Sequence, residues 1–553
     1  MRNRWFLLIT ILALVSLILA ACGAQPTQAP VAEATEAPEV VPTEAPQPTD
    51  TVPPPPAEPT TLVVAMNLDG FITLDPGYAF EIEPPVIFDA TYDQLVETLP
   101  DSLTEYSPRL AESWETSEDG LVHTFHLRPG VVFASGNPVT AEDARFSWQR
   151  LINLKGSGAW YVRMVESIEA VDDLTLKVTL TEPSPEFMSA VSSSMLGVLD
   201  SEVVKEHGGT DAEDADTTDT AKDWLDQNSA GSGPYIQTSW VPKSEIVFEK
   251  NPNYWREGPN IDKIIFKNVT DPTVALQMLQ TGEADLLYML DRDLVDQVEA
   301  DPNLELVVGQ MYNMEYVAMT SNPERSEPLS DPQVRKAVIL SIDYEGIIEG
   351  ILNGYAIRAP VMVPLGVAGS DPAMIVERDV EKAKELLADA GYPDGFEVEL
   401  AYGTSAERDS VAAKVQSDLA EAGIDVTLRP LEMSVYYSEA RAQNLAFLIG
   451  PWATDRMDIA NWVPYMAYPD GGLGFRIFYD NPKSVELADQ IAVETDPEKR
   501  AELVREIQAV WAEDAWGQIL YQPQQLMAMN NRLQGFQYHP FTFTILKDLS
   551  FSE

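Results

Sequence analysis

FEVELAYGTSAERDSVAAKVQSDLAEAGIDVTLRPLEMSVYYSEARAQNLAFLIGPWATD, residues 396–455, is the stretch that decides the fold. Residues 396–402 alternate as a half-buried strand does, and residues 405–422 then carry apolar side chains at helical spacing until Gly423 stops them. A second strand follows at 424–431, a helix at 434–443 and a third strand at 445–450. Strand, helix, strand, helix, strand implies right-handed crossovers and parallel strands. In such sheets ligands bind beyond the carboxyl ends of the strands. Gly450-Pro451-Trp452-Ala453-Thr454-Asp455 lies beyond the third strand, so an aromatic ring and a carboxylate stand where a ligand would.

Upstream of this unit, Asp331-Pro332 opens a helix that Gly354 follows, and a further helix spans 379–391. Residues 61–65 (TLVVA) read as a buried strand, and residues 114–133 as a hairpin joined at Asp119-Gly120, a type I′ turn signal. Thr140 caps the next helix, with Asp143 three residues on and an apolar stripe at Ala144, Trp148 and Leu151. His123 and His126 stand three apart on one strand, hence on opposite faces, and cannot share a metal. Residues 211–219 (DAEDADTTD) resemble a calcium loop but lack its central glycine and closing glutamate, so a solvated acidic loop is expected.

At the amino terminus, Arg2 and Arg4 precede an apolar run that ends in Leu19-Ala20-Ala21-Cys22, and Cys22 is the only cysteine of the 553 residues. A basic start, an apolar stretch and small residues are the parts of a secretory signal. The tetrapeptide resembles the lipobox of bacterial lipoproteins, which implies that the Cys22 sulfur carries the lipid and becomes the mature terminus. An uncleaved anchor is the alternative, the run being near the short limit for a membrane span. With no other thiol, the folded part uses neither disulfides nor thiolate metal ligands. Residues 23–59 are rich in Pro, Ala, Thr, Glu and Val and carry no core-forming period, so they read as a disordered tether. Fully extended at about 3.1 Å per residue, it would reach on the order of 100 Å.

The formal net charge is −52, from 36 basic and 88 acidic residues. Such a surface repels phosphate backbones, so no nucleic-acid partner is expected, and anionic headgroups are repelled as well, leaving attachment to the lipid. No nucleophile elbow, zinc motif or serine–histidine arrangement is present, so an enzyme is not expected. Composition alone leaves a glycosidase with two carboxylates as the competing class.

LAESW at Leu110, then DGLVHTFHLRPGVVFASGNPVTAEDARFSWQRL from Asp119, GSGPY at Gly231, NPNYW at Asn251, DPQVRKAV at Asp331 and AKELLADAGYPDGF at Ala383 follow one another in order. This series resembles the family 5 extracellular solute-binding proteins, the oligopeptide-, dipeptide- and nickel-binding lipoproteins of ABC importers, over nearly everything after the tether. The resemblance implies an α/β fold of two lobes, type II-like (cluster C), with an extra inserted domain. Carried onto this chain, residues 1–21 are the signal peptide and 22–59 the lipidated cysteine and tether. Residues 60–95, 230–322 and 520–553 form lobe I, 96–229 the extra domain, and 323–519 lobe II. A ligand would lie between the lobes, which close by hinge motion. The implied partners are an ABC permease with its ATPase, and the implied place is the outer face of the cytoplasmic membrane, periplasmic where an outer membrane exists. A monomer is expected.

Trp452 and Asp455 match the family's W-x-x-D motif, whose aspartate pairs with the α-ammonium of a peptide. Desolvating that ammonium in a closed cleft requires an anion. The bland alternative makes Asp455 a helix cap or a partner of Arg456 or Arg441. Pro451 replaces the glycine usual at that place and has no N–H to offer a peptide backbone. Peptide remains the leading ligand class. Oligosaccharide is the second, with Trp452, Trp462, Tyr465, Tyr468 and Tyr479 as candidate faces. The four histidines include no metal-ligand spacing, so neither metal nor cofactor is expected. A sensor presenting its ligand to a signalling receptor would need the same cleft.

Overall fold

The computed structural model describes residues 59–79, 84–99, 102, 104–454, 458–540 and 542–552. Cys22, the tether and Asp455 lie outside them. Among the described residues no helix is long and apolar enough to cross a membrane.

The chain enters through β1 (Thr61–Met66) and α1 (Pro84–Thr91). It then builds a separate antiparallel sheet of β2 (Ala111–Thr116), β3 (Val122–Leu127), β4 (Val165–Asp172) and β5 (Thr175–Leu180), in the order β2-β3-β5-β4. The β2–β3 turn departs from the expected type I′. Of its central pair only Gly120 has positive φ, at 71°, and the Gly120 N–H donates to the Ser117 carbonyl at 2.9 Å. A single left-handed glycine closing a longer loop is the geometry of a bulged turn. His123 points into the core at 5 % exposure, its ring 4.6 Å from that of Phe187, whereas His126 faces outward, as their spacing requires.

Helix α2 (Ala141–Leu154) begins as expected, with the Thr140 N–H donating to Asp143 at 2.9 Å. The acidic loop at 211–219 is not simply solvated. Asp219 and Asp75 are fully buried and clamp Arg150 of α2, each at 2.7 Å, and Asp211 holds Arg145 at 2.7 Å. The resemblance to a calcium loop thus ends in a set of guanidinium clamps. The GSGPY segment runs under the last turn of α1, where a Cβ on Gly231 would meet the Thr91 carbonyl oxygen at 2.0 Å. Only glycine allows that approach.

From there the chain adds β6 (Tyr235–Val241), β7 (Glu245–Lys250), β8 (Lys263–Asn268), β9 (Leu286–Leu287) and β10 (Leu304–Gln310). The second half comprises β11 (Met314–Met319), β12 (Ala356–Ile357), β13 (Phe396–Gly403), α3 (Ala406–Glu421), β14 (Ile424–Leu431), α4 (Met433–Arg441) and β15 (Phe447–Trp452). The expected helix from Asp331 is two helices, Pro332–Ser341 and Tyr344–Gly350, because Asp343 caps a new start. Its carboxylate takes the Gly346 N–H at 3.0 Å.

Strand β13 pairs in parallel with both β14 and β15, as the strand–helix alternation requires. The long strand β16 (Gly517–Asn530) then joins the halves. Its first residues pair with β11, Glu315 opposite Tyr521, and its later ones with β10, Gln310 opposite Gln524. One sheet results, in the order β14-β13-β15-β11-β16-β9-β1-β8-β7-β6, with β10 and β12 also on β16. The apolar clusters divide along the same lines. One fills β1, α1 and the separate sheet, and two others cover the opposite faces of β11, β13 and β15. The fold is therefore mixed α/β in two lobes.

Candidate functional site

Strand β15 ends two residues later than the periodicity indicates, so Pro451 and Trp452 belong to the strand itself. Pro451 lies opposite Glu315 of β11, at a point where the ladder from β15 to β13 has ended. A residue without an N–H is tolerated at such a place. The carboxyl ends of β13 and β15 therefore meet the start of β11 and residue 521 of β16 at one edge of the second lobe.

Strand alternation sorts the side chains there onto two faces. On one face Trp452, opposite Met314, is half-buried, with its ring 3.9 Å from that of Tyr465 at 47°. The guanidinium of Arg476 sits 5.4 Å from the Tyr465 ring and 5.9 Å from the Tyr437 ring. Tilted aromatic rings beside a guanidinium offer contacts to apolar faces and to hydrogen-bond acceptors. Thr454 ties the following segment down. Its N–H donates to Asn313 at 2.8 Å, and its hydroxyl donates to the Tyr312 carbonyl at 2.8 Å.

The other face is charged. Glu315 is 6 % exposed and pairs with Arg408, in the first turn of α3, at 2.5 Å. Burial pushes the Glu315 carboxyl up to about 7, against the downward pull of Arg408. Beside them the Tyr521 hydroxyl donates to Glu407, and Glu407 also holds Arg292 at 2.6 Å. Arg292 follows β9, so this last pair ties the segment after β9 to the first turn of α3.

Of the expected site residues, Pro451 and Trp452 are brought together. Trp462 is fully shielded from solvent and so offers no exposed face; it lies beside a cavity of about 70 Å³ that Thr104, Asp458, Arg500 and Val504 also line. Arg500 grips Asp458 with two hydrogen bonds, at 2.7 and 2.8 Å. Glu315 and Arg408 went unnoticed in the sequence, although a carboxylate inside the apolar run MEYVAM was a usable signal. A larger cavity of about 240 Å³ lies elsewhere, lined only by residues within 89–109, 189–194 and 537–548.

Residues 105–473 match the family described as bacterial extracellular solute-binding proteins, family 5 Middle. The chain is 28 % identical over 476 residues to the probable D,D-dipeptide-binding periplasmic protein DdpA of Escherichia coli, covering 85 % of this chain and 90 % of that one. The structure of HbpA2 from Haemophilus parasuis superposes with a TM-score of 0.79 at 26 % identity, over 89 % of this chain and 100 % of the other. DppA of Helicobacter pylori, an ABC transporter-associated periplasmic binding protein solved with the peptide STSA, gives 0.71 at 25 % identity, over 89 % and 98 %. The family match spans well over half the sequence and includes β15 with its tryptophan: the chain belongs to the bacterial extracellular solute-binding proteins, family 5.

Proposed function

We propose that this solute-binding protein is the lipid-anchored receptor of an ABC importer, taking a small peptide between its lobes and handing it to the permease. The observation that carries this is the edge where β11, β13, β15 and β16 converge, with an aromatic face that includes Trp452 and a charged face together. Lobe I would combine 60–95, 230–322 and 520–553, lobe II would be 323–519, and 96–229 would be the extra domain, except that the pairing of β11 with β15 and with the start of β16 would move 314–319 into lobe II. Trp452 and Pro451 would line the ligand, Asp455 would take its α-ammonium, and Trp462 would back the segment that carries Asp455. Cys22 would hold the lipid, and the tether would keep the receptor near its permease at high effective concentration. Relatives whose names record dipeptide or peptide binding support the ligand class.

The Trp452–Tyr465 pair beside a proline that cannot donate a hydrogen bond favours a second reading, an oligosaccharide lying on the rings. Native mass spectrometry of the purified protein, followed by small-angle scattering with the solute found, tests both. A bound peptide and a smaller radius are expected. No compaction across a broad peptide and oligosaccharide panel would refute the receptor reading.

A further inference from the structure

The cavity of about 240 Å³ sits apart from Trp452 and Glu315. Its walls are α1 with the short hairpin Val96–Thr98 and Tyr106–Pro108, the turn at 189–194, and the carboxyl-terminal segment 537–548. Three parts of the chain far apart in sequence thus converge on it. Among the described residues none of the lining comes from 323–519, although Thr104, in the loop of the hairpin, also lines the smaller cavity with Asp458, Arg500 and Val504, so the hairpin wall touches that part of the chain.

Its chemistry differs from that of the surface around it. Eight lining residues carry a hydroxyl, in a chain that is otherwise strongly acidic. The charges present are matched to one another. Arg109 is held by Asp89 and Asp93, each at 2.6 Å, and also donates to Gln94 at 2.6 Å. Glu97 pairs with Arg256 at 3.1 Å and Lys547 with Asp548 at 2.7 Å. Burial holds the His539 imidazole below its ordinary value, hence neutral at pH 7. A charged ligand entering here would lose water and meet ions already satisfied. An uncharged hydroxyl needs only the capacity the lining hydroxyls keep: Thr98 donates to Ser192 at 2.9 Å and Ser192 to the Ser189 carbonyl at 3.1 Å, each retaining an acceptor lone pair, and Ser102, which accepts the Thr104 and Glu105 N–H groups, retains its proton. The volume equals roughly eight waters at about 30 Å³ each, which is near that of one sugar ring.

We propose that this cavity is a binding subsite for an uncharged, hydroxyl-bearing group of about one pyranose ring. It rests on the receptor reading only in assigning the subsite to solute capture.

The test uses the full chain and methyl β-D-glucopyranoside as probe, with glucosamine and glucuronate as charged comparators, followed by ligand-observed NMR and calorimetry. The neutral probe is expected to bind at least ten-fold more tightly than either charged one. Ser107→Trp, which fills the cavity, should abolish binding, and Thr98→Val, which removes a hydroxyl at nearly constant volume, should weaken it several-fold. Both variants should melt as the parent does. If Ser107→Trp fails to fold, Thr98→Val carries the test alone. Equal affinity for the charged probes, absence of binding, or a folded Ser107→Trp that binds normally would overturn the subsite. A chain that compacts with its own solute yet ignores the probe overturns the subsite and leaves the receptor reading intact; a chain that binds the probe and compacts with nothing does the reverse.

Discussion

Arg292 and Glu407 allow one ion pair on the charged face of the candidate site to be weighed by itself. Their atoms meet at 2.6 Å, with side chains 23 % and 34 % exposed, and on the proposed boundaries one belongs to each lobe. Exposed pairs contribute about 0.2–1 kcal/mol, least where both side chains are free to move. Here Glu407 is fixed by the Tyr521 hydroxyl, so the upper end, about 1 kcal/mol, applies. If the contact belongs to the closed form, its loss weakens solute binding by that amount, or about five-fold. The assay is a double-mutant cycle of Arg292→Ala and Glu407→Gln, titrating each variant with the solute found by mass spectrometry. Glutamine keeps an acceptor for Tyr521, so the cycle isolates the ion pair. Raising the salt to about 1 M, where the screening length falls to about 3 Å, should shrink the coupling. A coupling below about 0.3 kcal/mol at low salt, or four identical affinities, would refute the reasoning.

Asp455→Ala should cost about 3–5 kcal/mol of binding, several hundred-fold or more, if that carboxylate meets a buried ammonium; unchanged affinity in calorimetry would remove it from the site. Asp75→Asn leaves the Arg150 guanidinium, 1 % exposed, short of one charge, and should destabilise the protein by about 3–5 kcal/mol in urea unfolding, with little effect if water reaches the clamp. His123 supplies a pH test. Burial pushes its imidazole down to about 4, against about 6.5 when unfolded, so the unfolded chain takes up the proton first. Stability is complete above pH 6.5 and falls by up to about 3 kcal/mol as the pH drops to 4. His123→Phe should flatten that part of the urea-midpoint profile, and an unaltered slope would assign it to other groups.

The alternation at 396–455 was enough to read three parallel strands and two helices, because period-2 and period-3.6 patterns survive without knowledge of neighbours. The cap at Thr140 was equally legible, being local. What stayed hidden depends on pairing. The end of β15 is set by β11, which carries it on through Pro451 and Trp452. The acidic loop at 211–219 looked solvated because nothing in it tells that Arg150 and Arg145 lie opposite. Glu315 stood in plain view inside MEYVAM, but its partner Arg408 is 93 residues away. The cavity between α1 and the carboxyl-terminal segment has walls that only the folded chain brings together.

Strand β16 carries a mechanical consequence. Because one unbroken strand is hydrogen-bonded into the ladders of both lobes, a sliding motion would have to strip backbone bonds along its length. Torsion about the short stretch between these ladders, residues 311–313 and 522–523, would carry β12 with it, because Ile357 and Ala356 pair with Gln522 and Pro523 and the Gln522 side chain donates to the Met311 carbonyl at 2.6 Å. There Pro523, opposite Ala356, has no N–H to lose. In a receptor that closes, the shared ribbon would act as a torsion bar, holding the two ladders in register while the halves turn about it.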